Sequence, residues 1–460
     1  MYFTSRLQLE LSKRPWLLNL WAITAAFGTY FCMYMFRKPF TAATYQESVF
    51  SDWDQKTLLV SAQVIGYLIS KLIGVKVVAE VSRGKRAMLL LGLIFASHLA
   101  LLLFALVPPP FHILAIFLNG LPLGMVFGLV LGFLEGRRMT EALTAGLCAS
   151  FILAGGFSKT IGQWVLGYST ESLGLSMVVA ERWMPFIAGL LFVVPLLVSV
   201  WMLAQVPSPN DHDISERSER SPMSGADRWS LLSTYGIGIG SVAVLYFLTT
   251  ILRSLRDDFA PEILSGMGAN VKPSAYATID TCVAAIVLVV NGLSVAIRDN
   301  KRALMLSFCV SFVGFLMIAG SMILQDMSII SPLGFMVMVG AGLYLPYVAI
   351  HTTVFERMIA LTRDRGNIGF LMYIVDSLGY CGYVAIMIFR NFLPKADVSS
   401  TTQIWIGFRW ACWISVAISL VFTVIAAVYF SRIKAGTSIK LHASSPILNN
   451  AGIAGKSHMR

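Results

Sequence analysis

The chain has 460 residues, of which 57% are hydrophobic and 13% are charged. Soluble domains carry about 25% charged residues, so this composition excludes a soluble enzyme or binding domain and predicts an integral membrane protein. The net charge of +11 is divided among short basic clusters between apolar segments. That arrangement indicates membrane topology and argues against nucleic-acid binding.

Apolar runs long enough to span a bilayer occur twelve times along the chain. They centre near Ala25, Ile69, Ile94, Val126, Leu153, Phe192, Val242, Ile286, Phe312, Val339, Ser377 and Ser419. We therefore predict an all-α membrane protein with twelve transmembrane helices. Basic residues precede the first span and follow every even-numbered span, so the positive-inside rule places both termini on the cytoplasmic side of the inner membrane.

A polar segment in the middle of the chain separates the first six spans from the last six. Residues 207–228 read PSPNDHDISERSERSPMSGADR and contain too few apolar residues to form a core, which predicts a flexible cytoplasmic linker. The predicted units are an N-terminal six-helix half at 1–206 and a C-terminal half at 229–434. Residues 435–460 are polar and are predicted to be a disordered cytoplasmic tail.

The two halves resemble each other in the placement of their charges. Arg37 and Arg253 each lie in an apolar segment, where a cation costs about 2.5–3.5 kcal/mol on insertion scales. Each is followed at the same separation by a basic pair, at 85–86 and 301–302. This is the pattern of the major facilitator architecture, in which two parallel six-helix repeats hold the substrate at the midplane between them.

Three segments carry a resemblance to a known family. YFCMYMFRKPF from Tyr30, GYLISKLIG from Gly66 and TILRSLRDDFAPEIL from Thr250 are similar to the first, second and seventh helices of the organophosphate:phosphate antiporters. That family includes the bacterial glycerol-3-phosphate and hexose-6-phosphate transporters. The resemblance extends in outline over all twelve spans, and it implies a major facilitator fold and exchange of an organic phosphate for inorganic phosphate.

The resemblance also implies roles for single residues. Arg37, Lys38 and Arg253 match the positions at which the family binds the phosphoryl group, and Tyr67 and Lys71 match its second helix. Physical chemistry favours the same arginines, because a guanidinium pairs bidentately with phosphate and stays charged when buried. Two alternatives remain open: the arginines could pair with carboxylates as structural residues, and Lys38 could extend to the outer interface.

Further candidates lie on the helices expected at the interface between halves. Lys71 and Lys159 come from the first half, whereas Asp280 and Asp376 come from the second, which predicts the pairs Lys71–Asp376 and Lys159–Asp280. Breaking and reforming such pairs could gate the transport cycle, or an aspartate could couple transport to protons. His351 could bind substrate or carry a proton, or it could simply be hydrogen-bonded. Lys159 stands in the helix where the glycerol-3-phosphate members have a histidine.

Tyrosine hydroxyls are further candidate ligands. Tyr30, Tyr34 and Tyr67 could donate to a substrate in a polar cavity, although membrane tyrosines often serve only in packing. The fourth span carries a glycine at every fourth position from Gly120 to Gly132, which predicts close packing against a neighbouring helix.

No catalytic, metal-binding or cofactor-binding motif is present in the sequence, so we expect neither an enzyme nor a bound metal or cofactor. The predicted function is secondary transport of a small phosphorylated or other organic anion in exchange for inorganic phosphate. The expected partners are that anion, phosphate and the lipid bilayer, and we expect a monomer. Two alternatives are a transporter-like receptor for an organophosphate and a proton-coupled transporter of a carboxylate or drug.

Overall fold

The computed structural model of the chain describes residues 2–45, 54–134, 140–208, 225–295, 297, 299–362, 368–390 and 400–433. All regular secondary structure in these residues is helical. Most of the predicted linker and all of the predicted tail lie outside the described residues. The helix that follows the linker begins at Gly225, within the segment predicted as linker.

The described α-helices are, in chain order, α1 (Tyr2–Lys13), α2 (Pro15–Met35), α3 (Gln55–Glu80), α4 (Arg83–Leu106), α5 (His112–Leu123), α6 (Val126–Leu134), α7 (Thr140–Gly167), α8 (Met177–Leu191), α9 (Val193–Ala204), α10 (Gly225–Asp258), α11 (Ala260–Gly266), α12 (Ser274–Val295), α13 (Asn300–Asp326), α14 (Pro332–Ala349), α15 (Phe355–Thr362), α16 (Ile368–Arg390) and α17 (Ser400–Arg432). A short 3₁₀ helix occupies Pro39–Ala42, and π-helical turns occupy Tyr168–Ser172 and Ile350–Val354.

Eleven of the twelve predicted span centres lie within these helices, and the twelfth, Phe192, lies at the junction of α8 and α9. Among the described residues, ten helical segments are long and apolar enough to cross a membrane, and the number is eleven if the pair α8 and α9, bent by 40°, forms one span. The span predicted around Ser377 corresponds to α16, which has 23 residues. At a rise of 1.5 Å per residue, a helix of that length also reaches across a bilayer.

The first membrane helix ends earlier than the sequence indicated. We expected Arg37 to lie inside an apolar helix, but α2 ends at Met35, and Arg37 and Lys38 form the turn before the 3₁₀ helix. Pro39 explains the difference, because it has no N–H to donate to the carbonyl four residues earlier and its ring clashes with that carbonyl. Because of this break, Arg37 lies in the turn just after the end of α2 and not within a helix.

Helix packing follows the order expected for two halves. In the first half, α2 packs on α7 and α9, while α3 packs on α5; in the second half, α10 packs on α16 and α17. Across the halves, α3 packs against α16 and α7 against α12. These are the two neighbour relations predicted for the second with the eleventh span and the fifth with the eighth.

The glycine stripe of the fourth span lies against the second span. A Cβ on Gly120 would come within 2.2 Å of the Gln63 carbonyl oxygen, and one on Gly124 within 2.4 Å of the Tyr67 carbonyl oxygen. Since real Cβ contacts are never that short, α3 and α5 can adopt this spacing only with glycine at both positions. The predicted packing role therefore holds at Gly120 and Gly124.

Candidate functional site

Six charged residues from both halves form a buried cluster at the end of the bundle where α2 finishes. We call this the paired cluster: Lys38, Lys159, Arg256, Asp257, Asp258 and Asp280. Lys38 donates a hydrogen bond to Asp258 and lies 3.5 Å from Asp257 Oδ2. Lys159 Nζ is 2.7 Å from Asp257 Oδ1, and Arg256 Nη2 is 2.9 Å from Asp280 Oδ1. Three cations thus face three carboxylates, and the formal charges balance.

One of the two predicted pairs is wrong. Lys159 pairs with Asp257 on α10, and Asp280 pairs with Arg256 on the same helix. The sequence prediction considered only α7 and α12, but Asp257, near the C-terminal end of α10, lies within reach of Lys159. Lys38 is 5% exposed and paired, so it does not extend to the interface in this structure.

Two glycines of α7 make room for the paired cluster. A Cβ on Gly155 would lie 2.6 Å from Asp257 Oδ1, and a Cβ on Gly156 would lie 2.1 Å from the Tyr276 carbonyl oxygen and 2.9 Å from Asp280 Oδ2. A larger residue at Gly156 would force α7 and α12 apart, and one at Gly155 would clash with the Asp257 carboxylate. Gly155 therefore leaves the space in which Asp257 of the second half meets Lys159 of the first.

Arg37 is buried without a charged partner. Its side chain is 2% exposed, and its Cζ lies 3.8 Å from the ring centroid of Tyr67 and 5.9 Å from that of Tyr34. Its Nε has no hydrogen-bond partner among the described residues. Within the part of the chain that the structure describes, no carboxylate lies within ion-pair distance of this guanidinium.

Arg253, from the second half, has similar surroundings. It is 5% exposed, its Cζ lies 4.7 Å from the ring centroid of Tyr347, and its Nη2 is 3.5 Å from the hydroxyl of Tyr380, a long hydrogen bond. Its Nε also lacks a partner, and no described carboxylate pairs with it. The open alternative that these arginines serve as structural ion pairs therefore finds no partner among the described residues.

The two arginines meet at one pair of tyrosine rings. Tyr67 on α3 and Tyr380 on α16 have ring centroids 5.3 Å apart, with Arg37 beside the first and Arg253 beside the second. Lys71 Nζ lies 5.1 Å from the Tyr67 centroid and 4.7 Å from the Tyr380 centroid. We call these five residues the arginine site. Three cations, drawn from both halves, therefore lie around one aromatic pair.

The predicted pair between Lys71 and Asp376 is present. Lys71 donates to one oxygen of Asp376, and Tyr246 donates to the other at 2.8 Å. The Tyr246 hydroxyl also lies 3.1 Å from the Tyr347 hydroxyl and 3.4 Å from His351 Nε2. Asp376 is thus the carboxylate that serves the arginine site, and His351 belongs to its hydrogen-bonded surroundings.

The remaining predicted tyrosines pack beside Arg37. Tyr34 and Tyr30 are both 4% exposed, their ring centroids are 5.6 Å apart, and the Tyr30 ring also packs against Phe127. Tyr34 lies on the Arg37 side of this group. The structure therefore brings Arg37, Tyr30, Tyr34, Tyr67 and Lys71 together on the face of the first half that meets the second.

Sequence reasoning missed several residues that the structure places in these groups. The omitted charges are Arg256, Asp257 and Asp258, although all three stand in the segment that carried the family resemblance. The omitted tyrosines are Tyr246, Tyr347 and Tyr380. A spacing of four links Tyr380 to Asp376 and Tyr347 to His351, so helical periodicity from the chosen residues would have found both.

Comparison of the sequence with protein-family profiles identifies the family to which the chain belongs. The profile of a family of unknown function, DUF5690, matches residues 39–433. The chain belongs to the DUF5690 family. The comparison with curated protein sequences gave no match.

Several solved structures similar to this chain are transporters. A D-xylose-proton symporter has a TM-score of 0.60 at 12% identity, with 91% of this chain and 98% of that chain covered. A bacterial homolog of the human lysosomal transporter Spinster has a TM-score of 0.56 at 12% identity, covering 90% of this chain and 96% of that chain. The nucleoside transporter NupG has a TM-score of 0.56 at 13% identity, covering 89% and 98%.

At such identities the similarity establishes the fold and leaves the substrate open. This member of the DUF5690 family has the major facilitator fold, an all-α membrane architecture of two six-helix halves, as the sequence predicted. In this fold substrates bind between the halves near the middle of the membrane. The arginine site, built from α3, α10, α16 and the turn after α2, lies at that interface.

Proposed function

We propose that the protein is a secondary active transporter of the inner membrane, with both termini cytoplasmic. By alternating access it would exchange a small phosphorylated or other organic anion for inorganic phosphate. The observation that carries this proposal is the pair of buried arginines without carboxylate partners in the described chain.

A buried cation without a counter-charge is unfavourable, because burial removes its hydration and the low dielectric raises its electrostatic free energy. Among the described residues, Asp376 is the carboxylate that pairs with this group of Arg37, Arg253 and Lys71, which leaves two formal positive charges in excess. A dianion bound among them would restore neutrality and supply acceptors for the two unpartnered Nε groups. Phosphate monoesters at neutral pH carry about that charge.

The use of arginine rather than lysine favours phosphate as the ligand over an anion that offers a single oxygen. The guanidinium presents a planar fork that binds two oxygens at once, and it cannot lose its proton in a buried site. One arginine comes from each half, so a ligand held by both is shared between the halves. Reorientation of the halves around a shared ligand is the requirement of alternating access.

The paired cluster supports closure on one side of that ligand. Lys38 and Lys159 of the first half bind Asp257 and Asp258 of the second, and Lys56 Nζ reaches Glu262 Oε1 at 2.6 Å across the same boundary. These contacts hold the halves together at the end where α2 finishes. By the predicted topology this is the outer end, and opening it would require breaking these pairs.

The decisive experiment is counterflow in proteoliposomes. Purified protein is reconstituted in vesicles loaded with inorganic phosphate, and uptake of radiolabelled phosphate or of a panel of phosphorylated and carboxylate compounds is followed. Exchange that depends on internal phosphate supports the antiporter. Binding without exchange supports the receptor alternative.

A second condition tests the proton-coupled alternative, which the hydrogen bonds joining Asp376, Tyr246 and His351 favour. Vesicles without internal anion receive an imposed proton gradient. If the protein is an antiporter, we expect little uptake, because closing the empty site with its excess positive charge costs free energy. Accumulation driven by the gradient alone overturns exchange, and Asp376→Asn would then abolish accumulation while sparing counterflow.

A further inference from the structure

The turn that presents Arg37 leaves buried carbonyl groups that need hydrogen-bond donors. Because α2 stops at Met35, the carbonyl oxygens of Phe36, Arg37 and Lys38 follow the end of the helix in a buried segment. The Lys38 carbonyl accepts from the Thr41 backbone N–H at 3.0 Å and from its hydroxyl at 2.8 Å. The donors to the other two carbonyls come from other helices.

Two buried amide side chains bind those carbonyls. Asn119 Nδ2 on α5 donates to the Phe36 oxygen at 2.9 Å, and Gln63 Nε2 on α3 donates to the Arg37 oxygen at 2.8 Å. Gln63 Nε2 also donates to Asn119 Oδ1 at 2.7 Å, so the amides hold each other. Gln63 is 1% exposed and Asn119 is 0% exposed, so both donors lie away from bulk solvent.

A third helix fixes the orientation of Asn119. Its Nδ2 donates to the Ser97 carbonyl on α4 at 3.0 Å, and the Ser97 hydroxyl donates back to the Asn119 carbonyl at 3.0 Å. Gly120, next in sequence, is the residue that lets α5 approach the Gln63 backbone. Three neighbouring helices therefore contribute to one rigid network around the Arg37 turn.

We propose that Gln63 and Asn119 are positioning residues for the anion at Arg37. This inference rests on the proposed function. Gln63, Tyr67 and Lys71 are spaced by four residues and share one face of α3. Gln63 holds the backbone of Arg37, and Tyr67 lies against its guanidinium at 3.8 Å.

One face of α3 thus fixes both ends of the arginine, while Lys71 adds a charge one turn further along. Fixing a long side chain before the ligand arrives removes part of the ordering cost of binding. Stacking on Tyr67 occupies the face of the guanidinium and leaves its edge for oxygen ligands. Without the Gln63 bond, the Arg37 carbonyl loses its donor and the turn can rotate, so the fork no longer faces the ligand.

Binding of inorganic phosphate to the purified full-length protein in detergent tests this role. Gln63→Met keeps the length of the side chain and removes its donors. We expect its dissociation constant for phosphate to rise about tenfold, the scale of one lost hydrogen bond to a buried group. Gln63→His retains a ring N–H at similar reach and should recover most of the wild-type affinity.

Gln163→Met is the matched control. Gln163 Nε2 also donates to a backbone carbonyl of the same segment, that of Ala42 at 2.5 Å, but it does not touch the Arg37 turn. We expect less than about a twofold change in phosphate affinity. If both methionine variants weaken binding equally, or if Gln63→His is no better than Gln63→Met, the effect is general and the positioning role is overturned.

Asn119→Ser provides the same test through the second amide. It removes the 2.9 Å hydrogen bond to the Phe36 carbonyl, which leaves that oxygen the 3.5 Å contact with the Ser97 hydroxyl. This variant serves if Gln63→Met is not monodisperse on gel filtration. We again expect about a tenfold loss of phosphate affinity. Affinity like that of the wild type in a folded Asn119→Ser or Gln63→Met variant overturns the positioning role alone, whereas failure of the wild-type protein to bind phosphate overturns the proposed function.

Discussion

The paired cluster and the arginine site are neighbours built from the same kinds of residue. Lys38 follows Arg37 directly in the sequence, and Asp257 lies one turn beyond Arg253 on α10. In the paired cluster three cations meet three carboxylates, whereas in the arginine site three cations meet one carboxylate from the described part of the chain, that of Asp376. Burial is nearly complete in both, so the difference lies in the balance of charge.

That difference separates a contact between halves from a candidate ligand site. A balanced buried cluster is satisfied by the protein itself, and adding an anion there would displace a carboxylate. A buried cluster with excess positive charge favours the binding of an anion. Charge balance is therefore a better guide to the site here than the presence of buried charge, which both regions share.

Removing a carboxylate from the paired cluster should produce the largest effect. Asp257→Asn leaves Lys159 without its counter-charge and weakens the contacts of Lys38. Loss of one partner in a buried pair costs about 3–5 kcal/mol, so the melting temperature of the purified protein should fall markedly. The double variant Lys159→Met with Asp257→Asn should recover part of that loss.

The control for this prediction is the pair that the sequence indicated incorrectly. Lys159→Met combined with Asp280→Asn removes two residues that bind different partners, Asp257 and Arg256. We expect no recovery in that double variant. If it melts higher than both of its single variants, the assignment of partners in the paired cluster is wrong.

Changing the arginines should leave folding intact and impair transport. Arg37→Lys and Arg253→Lys keep the positive charge but replace a bidentate fork with a point charge. We expect phosphate counterflow to fall on the order of a hundredfold, because charged hydrogen bonds are worth about 1.5–3 kcal/mol each. Membrane insertion and melting temperature should change little.

Arg256→Lys is the matched control for that prediction. Arg256 is an equally buried arginine on the same helix, but it pairs with Asp280 and lies outside the arginine site. A lysine there retains the ion pair, so counterflow should remain within several-fold of the wild-type rate. Equal loss in all three variants would remove the distinction between the two regions.

A smaller effect is expected from Gly156→Ala. The added Cβ would lie 2.1 Å from the Tyr276 carbonyl oxygen, so α7 and α12 must separate near the paired cluster. Overpacking of this kind costs about 1–3 kcal/mol, measurable as a lower melting temperature. Gly167→Ala on the same helix has no atom within 4 Å of the added Cβ and should be neutral or slightly stabilising.

The fold could be predicted from the sequence because its signals are local and repeated. Each span is an apolar run, the basic clusters alternate, and the two halves repeat their charges. The helices that pack across the halves also followed from this architecture, which is why the pair of Lys71 with Asp376 was predicted correctly. Asp376 is the one carboxylate on α16, so Lys71 had a single candidate partner on that helix.

The partners of Lys159 could not be predicted in the same way. Asp257 and Asp280 both lie close to Gly155 of α7, and the choice depends on where the C-terminal end of α10 places Asp257. The carbonyl donors Gln63 and Asn119 were also invisible, since they act on a helix break that Pro39 causes. Uncharged amides on apolar helices give no signal until the backbone they bind is known.

The two excess charges of the arginine site have an electrical consequence. A dianion bound by Arg37, Arg253 and Lys71 beside Asp376 gives a loaded site with no net charge, on which the membrane potential exerts no force. An empty site carries two positive charges, and each experiences about 2.3 kcal/mol per 100 mV when it moves across the field. Exchange should therefore run at the same rate in polarised and depolarised vesicles, while any return of the empty protein would be voltage-dependent.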